Sequence, residues 1–147
     1  MKPATGIGMG ALFTAIAVCG VYAPVIAQDK GKDTKVAPAA SAGFTRNILQ
    51  KGDTSAPGRE YVQITAEFPP GVSTGRHSHP GEEVGYVLEG SFTFAIDGKP
   101  PFSLKTGDHF FVPANTVHEG KNTGAAKAKV LITYIVEKGR PLAIPVK

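Results

Sequence analysis

The chain has 147 residues, of which 41% are hydrophobic and 19% charged, and a formal net charge of +4. That length holds one ordinary domain, and the mild positive excess is carried by scattered lysines with no aromatic-interleaved basic patch, which excludes a dedicated nucleic-acid surface. A single cysteine, Cys19, excludes an intramolecular disulfide.

The N-terminus carries Lys2, a weakly polar lead and the apolar run ALFTAIAVCGVYAPVIA, which Gly20 and Pro24 interrupt. It is too short and too broken for a comfortable transmembrane helix. Val25 and Ala27 stand at the −3 and −1 positions of a signal-peptidase site, so residues 1–27 read as a signal peptide cleaved before Gln28. An uncleaved anchor is the alternative. Lipid attachment at Cys19 would normally need a small residue before it, and Val18 stands there instead. The expected location is periplasmic or secreted, with no stable membrane insertion after signal removal. Residues 28–43 are Lys, Asp, Ala, Pro and Ser with little apolar surface to bury, and read as a flexible leader.

Residues 44–147 are expected to form one domain. Glu60 to Phe68 alternates, with Val62, Ile64, Ala66 and Phe68 on one face and Tyr61, Gln63, Thr65 and Glu67 on the other, as in a half-buried strand. Pro69-Pro70-Gly71 ends it. After the bend at Pro80-Gly81, an apolar run from Val84 to Leu88 follows. Phe92, Phe94 and Ile96 alternate with Thr93 and Ala95, and Asp97-Gly98 has the turn chemistry of a hairpin into Phe102 to Leu104. Phe110 to Val112 is a further short strand. Val130 to Val136 is apolar on both faces, so one face is expected in a core and the other under a second sheet layer or a subunit partner, a homodimer being the simplest. No stretch of this region has helical periodicity of useful length.

The chemistry concentrates in Gly71 to Gly90, GVSTGRHSHPGEEVGYVLEG. In extended chain His77 and His79 share a face while Ser78 points away, with Cα atoms roughly 6.5–7 Å apart, a spacing at which two imidazoles can close on one ion. The bend at Pro80-Gly81 would let Glu83 swing its carboxylate back to the same point. A fourth ligand is sought in Gly107 to Asn122, GDHFFVPANTVHEGKN. His118 is preferred there because it follows the turn Pro113-Ala114-Asn115 and begins an extended run; His109 reads as a surface or supporting histidine and Glu82 as solvent-facing. Phe92, Phe94, Phe110 and Phe111 read as core.

These two stretches resemble the paired motifs of the cupin superfamily. Gly71, His77, His79, Glu83 and Gly90 match G-x5-H-x-H-x3-E-x6-G, and Gly107, Pro113, His118 and Asn122 match G-x5-P-x-G-x2-H-x3-N. Asn115 stands where the second motif has glycine, and asparagine is the residue best suited to replace glycine at positive φ. The resemblance implies an all-β, jelly-roll-like double-stranded β-helix barrel, with His77, His79, Glu83 and His118 as inward-facing ligands of one divalent transition metal ion: Mn, Fe, Ni, Cu or Zn. It is closest in kind to small quercetin-dioxygenase-like cupins, which implies a metal-dependent oxidoreductase acting on a small oxygenated molecule, with Glu83 as ligand and proton acceptor. Two other readings of the same residues stand beside it: a module that binds a metal or small ligand without turnover, and a tetrahedral Zn²⁺ that only staples the barrel.

Overall fold

The structure, a computed structural model, describes residues 43–147. The expected signal peptide and its cleavage site, and Cys19, lie outside the described residues, as does nearly all of the expected leader.

Ten strands follow one another: β1 (Thr45–Asp53), β2 (Arg59–Phe68), β3 (His77–Ser78), β4 (Gly81–Glu89), β5 (Ser91–Ile96), β6 (Phe102–Lys105), β7 (His109–Val112), β8 (His118–Lys121), β9 (Ala128–Glu137) and β10 (Ile144–Pro145). They form two five-stranded antiparallel sheets, ordered β1-β2-β9-β4-β7 and β10-β3-β8-β5-β6. This is an all-β double-stranded β-helix, and the described residues contain no helix.

Alternation explains which side chains meet between the sheets. In β2, Val62, Ile64, Ala66 and Phe68 are buried, while Tyr61, Gln63, Thr65 and Glu67 are half-buried on the opposite face. β9 pairs with β2 along its whole length and buries Ala128, Val130, Ile132, Tyr134 and Val136. From the other sheet, Phe92, Phe94, Ile96 and Leu104 complete the core. β5 and β6 form the hairpin expected at Asp97-Gly98, where Gly98 takes φ 79° as the turn requires.

The outer face of the first sheet keeps apolar side chains in view. Val84, Tyr86, Phe111 and Ile135 are exposed; Phe111, at 55%, is not in the core expected of it, because alternation along β7 buries Phe110 and Val112 and turns Phe111 outward. No layer among the described residues covers this side of β9, so a second sheet does not account for its two-faced apolar pattern. β1 was not anticipated from the sequence. It pairs with β2 through a bulge between Ile48 and Gln50, and most of its residues are exposed, so it lacks the buried half of an alternating pattern.

Candidate metal centre

β3 and β8 set His77 directly opposite His118 in the ladder, with ring centroids 4.3 Å apart. His79 lies just beyond β3 on the same side, 4.8 Å from the His77 ring and 5.1 Å from that of His118. Pro80 follows it and is fully buried, so the chain turns into β4 at once.

Glu83 arrives differently from the expected swing out of a bend. β4 already begins at Gly81, and its buried positions are Gly81, Glu83, Gly85 and Val87. Strand alternation alone therefore aims the carboxylate inward and turns Val84 and Tyr86 out. Two glycines allow the approach: a Cβ on Gly81 would strike the backbone of Ile135 and Val136, and one on Gly85 would enter the ring of Phe110.

The imidazole atoms of His77, His79 and His118 available to a metal lie within 4.8 Å of one another. Glu83 Oε2 stands 3.2 Å from His79 Nε2 and 2.9 Å from His118 Nε2. Two donors bound to one ion at about 2.1 Å each stand about 3.0–3.4 Å apart, so these spacings suit a shared cation. Each imidazole is oriented through its other nitrogen. His77 Nδ1 donates to Gly75 O at 2.8 Å, His118 Nδ1 to Thr116 O at 2.9 Å, and His79 Nδ1 to Leu142 O at 2.5 Å. Because a carbonyl only accepts, each ring carries its proton on Nδ1 and turns the Nε2 lone pair into the cluster.

His79 Nε2, Glu83 Oε2 and His118 Nε2 are buried and lack a well-aligned hydrogen-bond partner, even though they lie close together. Unpaired polar atoms at such depth are costly unless a cation meets them, and a soft-to-borderline divalent ion fits three imidazoles and a carboxylate. Three buried histidines able to bind a metal are thus a property of the fold.

The electrostatics favour an ionised carboxylate. Burial pushes Glu83 up, but its contacts with His118 and then His79 outweigh it and hold the group down at about 2. Burial likewise lowers His118, and Glu83 more than reverses it, leaving His118 raised. His77 lies farther from the carboxylate's pull, and burial takes it down to about 4. Burial first, then the Glu83 charge, keep Tyr134 neutral far above the ordinary phenol range.

The second motif supports the first through its backbone. Asn115 adopts φ 59°, the left-handed conformation expected of it, and its N–H donates to His79 O at 2.9 Å. Asn122 is fully buried, donates to Phe68 O and Ala126 O at 2.8 Å each, and accepts from Gly124 N–H at 2.9 Å. His109 is exposed on β7 opposite Tyr86, away from the cluster. Glu82 faces outward and pairs with Arg59 at 3.3 Å.

A small cavity of about 20 Å³ opens beside His77, Glu83 and His118, with Phe94, Phe110 and Ile132 among its apolar walls. Its space is on the scale of one water. Tyr134 and Arg46 also line it, and neither was singled out from the sequence as a site residue. Tyr134 could have been found as the one hydroxyl on the inward face of an aliphatic strand. Arg46 had no comparable signal, because β1 itself was not legible.

Residues 64–134 match the family described as "Cupin domain". The HTH-type transcriptional regulator PuuR of Escherichia coli (strain K12) is 30% identical over 95 residues, which cover 64% of this chain and 49% of that one. An oxalate-binding protein of Thermotoga maritima is 37% identical over 71 residues, covering 48% of this chain and 58% of its own. The crystal structure of the DMSP lyase DddQ from Ruegeria pomeroyi DSS-3 superposes with a TM-score of 0.58 at 25% identity, over 71% of this chain and 52% of that one. The chain thus spans about half the length of these relatives.

Proposed function

Since the barrel formed by this chain belongs to the cupin superfamily, we propose that the protein is a metal-dependent enzyme, dioxygenase-like in type, that acts on a small oxygenated molecule. The observation that carries this reading is the convergence of His77, His79, His118 and Glu83 beside a cavity rather than inside solid core. A divalent transition metal bound there supplies Lewis acidity and coordination positions for oxygen donors.

The protein's own residues divide the remaining work. His77, His79 and His118 hold the ion through Nε2, each fixed by its Nδ1 bond to a backbone carbonyl. Glu83 serves both as ligand and as acceptor for a substrate proton. Tyr134 remains a neutral hydroxyl, and its ring packs on His79 with centroids 4.6 Å apart, so it can only offer a hydrogen bond to a bound oxygen. Phe94 and Phe110, with centroids 4.4 Å apart, keep bulk water from the inner wall.

A second reading is binding without turnover. It is favoured by relatives whose names describe a regulator and an oxalate-binding protein. The two readings separate in oxygen-uptake and product assays on the metal-loaded protein with small chelating oxygenated compounds. Turnover that Glu83→Gln removes, with binding retained, supports the enzyme; binding that survives in both forms without any product supports the binder. We place the protein in the periplasm or outside the cell, on the signal-like segment 1–27. Mass measurement of the exported protein should give a chain beginning at Gln28, whereas a full-length or acylated chain in the membrane fraction would overturn that placement.

A further inference from the structure

His77 is the least restrained of the three histidines on the side that would face an ion. Glu83 stands 3.2 Å from His79 Nε2 and 2.9 Å from His118 Nε2, and no ion pair among the described residues joins His77 to a carboxylate. The direction of its ring therefore rests largely on the Nδ1 side, on the bond to Gly75 O at 2.8 Å. That carbonyl belongs to the residue type with the widest backbone freedom, and Gly75 is exposed, so something must keep the oxygen aimed at the ring.

The anchor comes from β8. The chain before β3 runs antiparallel to it, with Ser73 bridged to Lys121 and His77 paired with His118. Residues 74–76 lie between those positions on one side and only 119 and 120 on the other, so the extra residue makes a bulge, in which Gly75 takes φ 69°. Both backbone groups of Gly75 are tied by the side chains just before it. Its N–H donates to Ser73 Oγ at 2.8 Å, and its oxygen accepts from Thr74 Oγ1 at 2.9 Å as well as from His77 Nδ1. Thr74 Oγ1 in turn accepts from Gly120 N–H at 3.0 Å, and Thr74 N–H donates to Gly120 O at 2.8 Å. A hydroxyl has one proton, so accepting from Gly120 and donating to Gly75 fixes its direction. Neither Thr116 O nor Leu142 O, the carbonyls behind His118 and His79, accepts a second bond among the described residues.

We propose that Thr74 is a positioning residue of the metal centre: its hydroxyl, anchored on β8, aims the Gly75 carbonyl that keeps the His77 proton on Nδ1 and the Nε2 lone pair toward the ion. The inference rests on the metal reading above and adds to it a residue that prepares one ligand before any ion arrives. The tautomer of a histidine is set by the bond its other nitrogen makes, and a ligand already oriented loses less freedom on binding. The anchor matters because β8 also carries His118. Thr74 joins the two facing histidines a second time, beside their ladder pair, so His77 is placed relative to His118 and not only to its own loop. Thr74 lines the cavity together with both of them.

The test compares wild type, Thr74→Val and Thr74→Ser, with Thr93→Val, which removes the hydroxyl bonded to Thr123, as the control. Nitrogen NMR of the metal-stripped protein at mildly alkaline pH reads the tautomer of each imidazole, and competition with a chromophoric chelator reads Zn²⁺ affinity. Wild type, Thr74→Ser and the control should hold His77 in the Nδ1–H form. Thr74→Val should give a mixture at His77 and leave His79 unchanged. Zn²⁺ affinity should fall about threefold to tenfold in Thr74→Val, less than the roughly 10–100-fold of losing a direct orienting partner, and return in Thr74→Ser. An unmoved His77 tautomer, an unmoved Zn²⁺ affinity, a Thr74→Ser variant that behaves like Thr74→Val, or an equal change at His79 would each overturn the assignment. If Thr74→Val does not fold, Thr74→Ala replaces it under the same criteria. In wild type itself the Thr74 hydroxyl proton should exchange slowly with water, and rapid exchange would contradict the bond to Gly75 O. If no form binds Zn²⁺, the metal reading fails by itself; the tautomer of the stripped protein then decides for Thr74, upheld if it shifts in Thr74→Val and returns in Thr74→Ser, and overturned if not.

Discussion

His77 and His118 are cross-strand partners, the single paired position between β3 and β8, and their rings lie 4.3 Å apart. The two motifs are thus joined by a backbone ladder at the very residues whose side chains face the cavity. Strand pairing and imidazole convergence are the same structural event here, so loss of one disturbs the other.

Replacement of His77, His79 or His118 by Ala should remove tight metal binding, and His109→Ala should leave it unchanged. Wild type should retain roughly one ion per chain, with Cu²⁺ and Zn²⁺ outcompeting Fe²⁺ and Mn²⁺ when supply is equal. Equilibrium dialysis with elemental analysis measures both. A loss in His109→Ala equal to that in His118→Ala would show that the ligand set is wrong.

Glu83→Gln keeps an oxygen donor and removes the charge. The barrel should stay folded, metal affinity should drop by about tenfold or more, and turnover should fall further than ligand affinity. Water-exchange relaxation on the Mn²⁺ form, paired with melting of the metal-stripped protein, distinguishes a working site from a staple. A collapsed metal-free barrel together with no exchangeable water would mark the metal as structural.

The C-terminal segment reaches the site without contributing a ligand. Leu142 O accepts from His79 Nδ1, β10 pairs with β3, and Val146 N–H donates to Arg76 O at 3.0 Å. Deleting residues 141–147 should weaken metal binding by about 10–100-fold, the usual cost of losing an orienting partner. Circular dichroism should still report strand structure; unchanged metal affinity in the truncated protein would contradict the role given to Leu142.

In the metal-stripped protein stability should depend on pH with opposite signs on the two sides of 6.5. Burial lowers His77 from 6.5 to about 4, so between those values the unfolded chain binds more protons and stability rises with pH, by up to about 3 kcal/mol over the window. His118 is raised, which makes its contribution full below 6.5 and lost as pH climbs through its folded value. Chemical denaturation across this range should therefore show a maximum, and His77→Gln should flatten the acid limb alone. A wild-type profile without an acid limb would contradict the burial argument.

At Asn115, φ 59° makes glycine the neutral replacement and a β-branched residue the costly one. Asn115→Gly should change stability by less than about 0.5 kcal/mol and Asn115→Val should cost about 1–2 kcal/mol. Gly81→Ala should be worse than either change at Asn115, since its Cβ meets the backbone of Ile135, which cannot rotate away. Thermal melts of the three variants order them.

Much of this molecule is written along its chain. The period-two pattern of Glu60 to Phe68 specified a half-buried strand, Asp97-Gly98 specified a hairpin, and the spacing of His77, His79 and Glu83 put three donor groups within seven residues, because side-chain direction in extended chain follows from counting. Asn115 was legible for the same local reason: few residues accept its backbone conformation. What counting along one strand could not reach is anything that depends on which strands become neighbours. β1 is an exposed edge with a bulge and has no burial pattern to read, so the placement of Arg46 over the cavity came from its register with β2. The Leu142 carbonyl behind His79 and the Tyr134 ring against it are contacts of sequence-distant chain. The outward apolar face around Val84 and Phe111 is left uncovered by any element described, a fact of sheet packing that a two-faced apolar strand could only pose as a question. Local dihedral and alternation preferences determine which residues can point together, and only the closure of two sheets decides which of them meet.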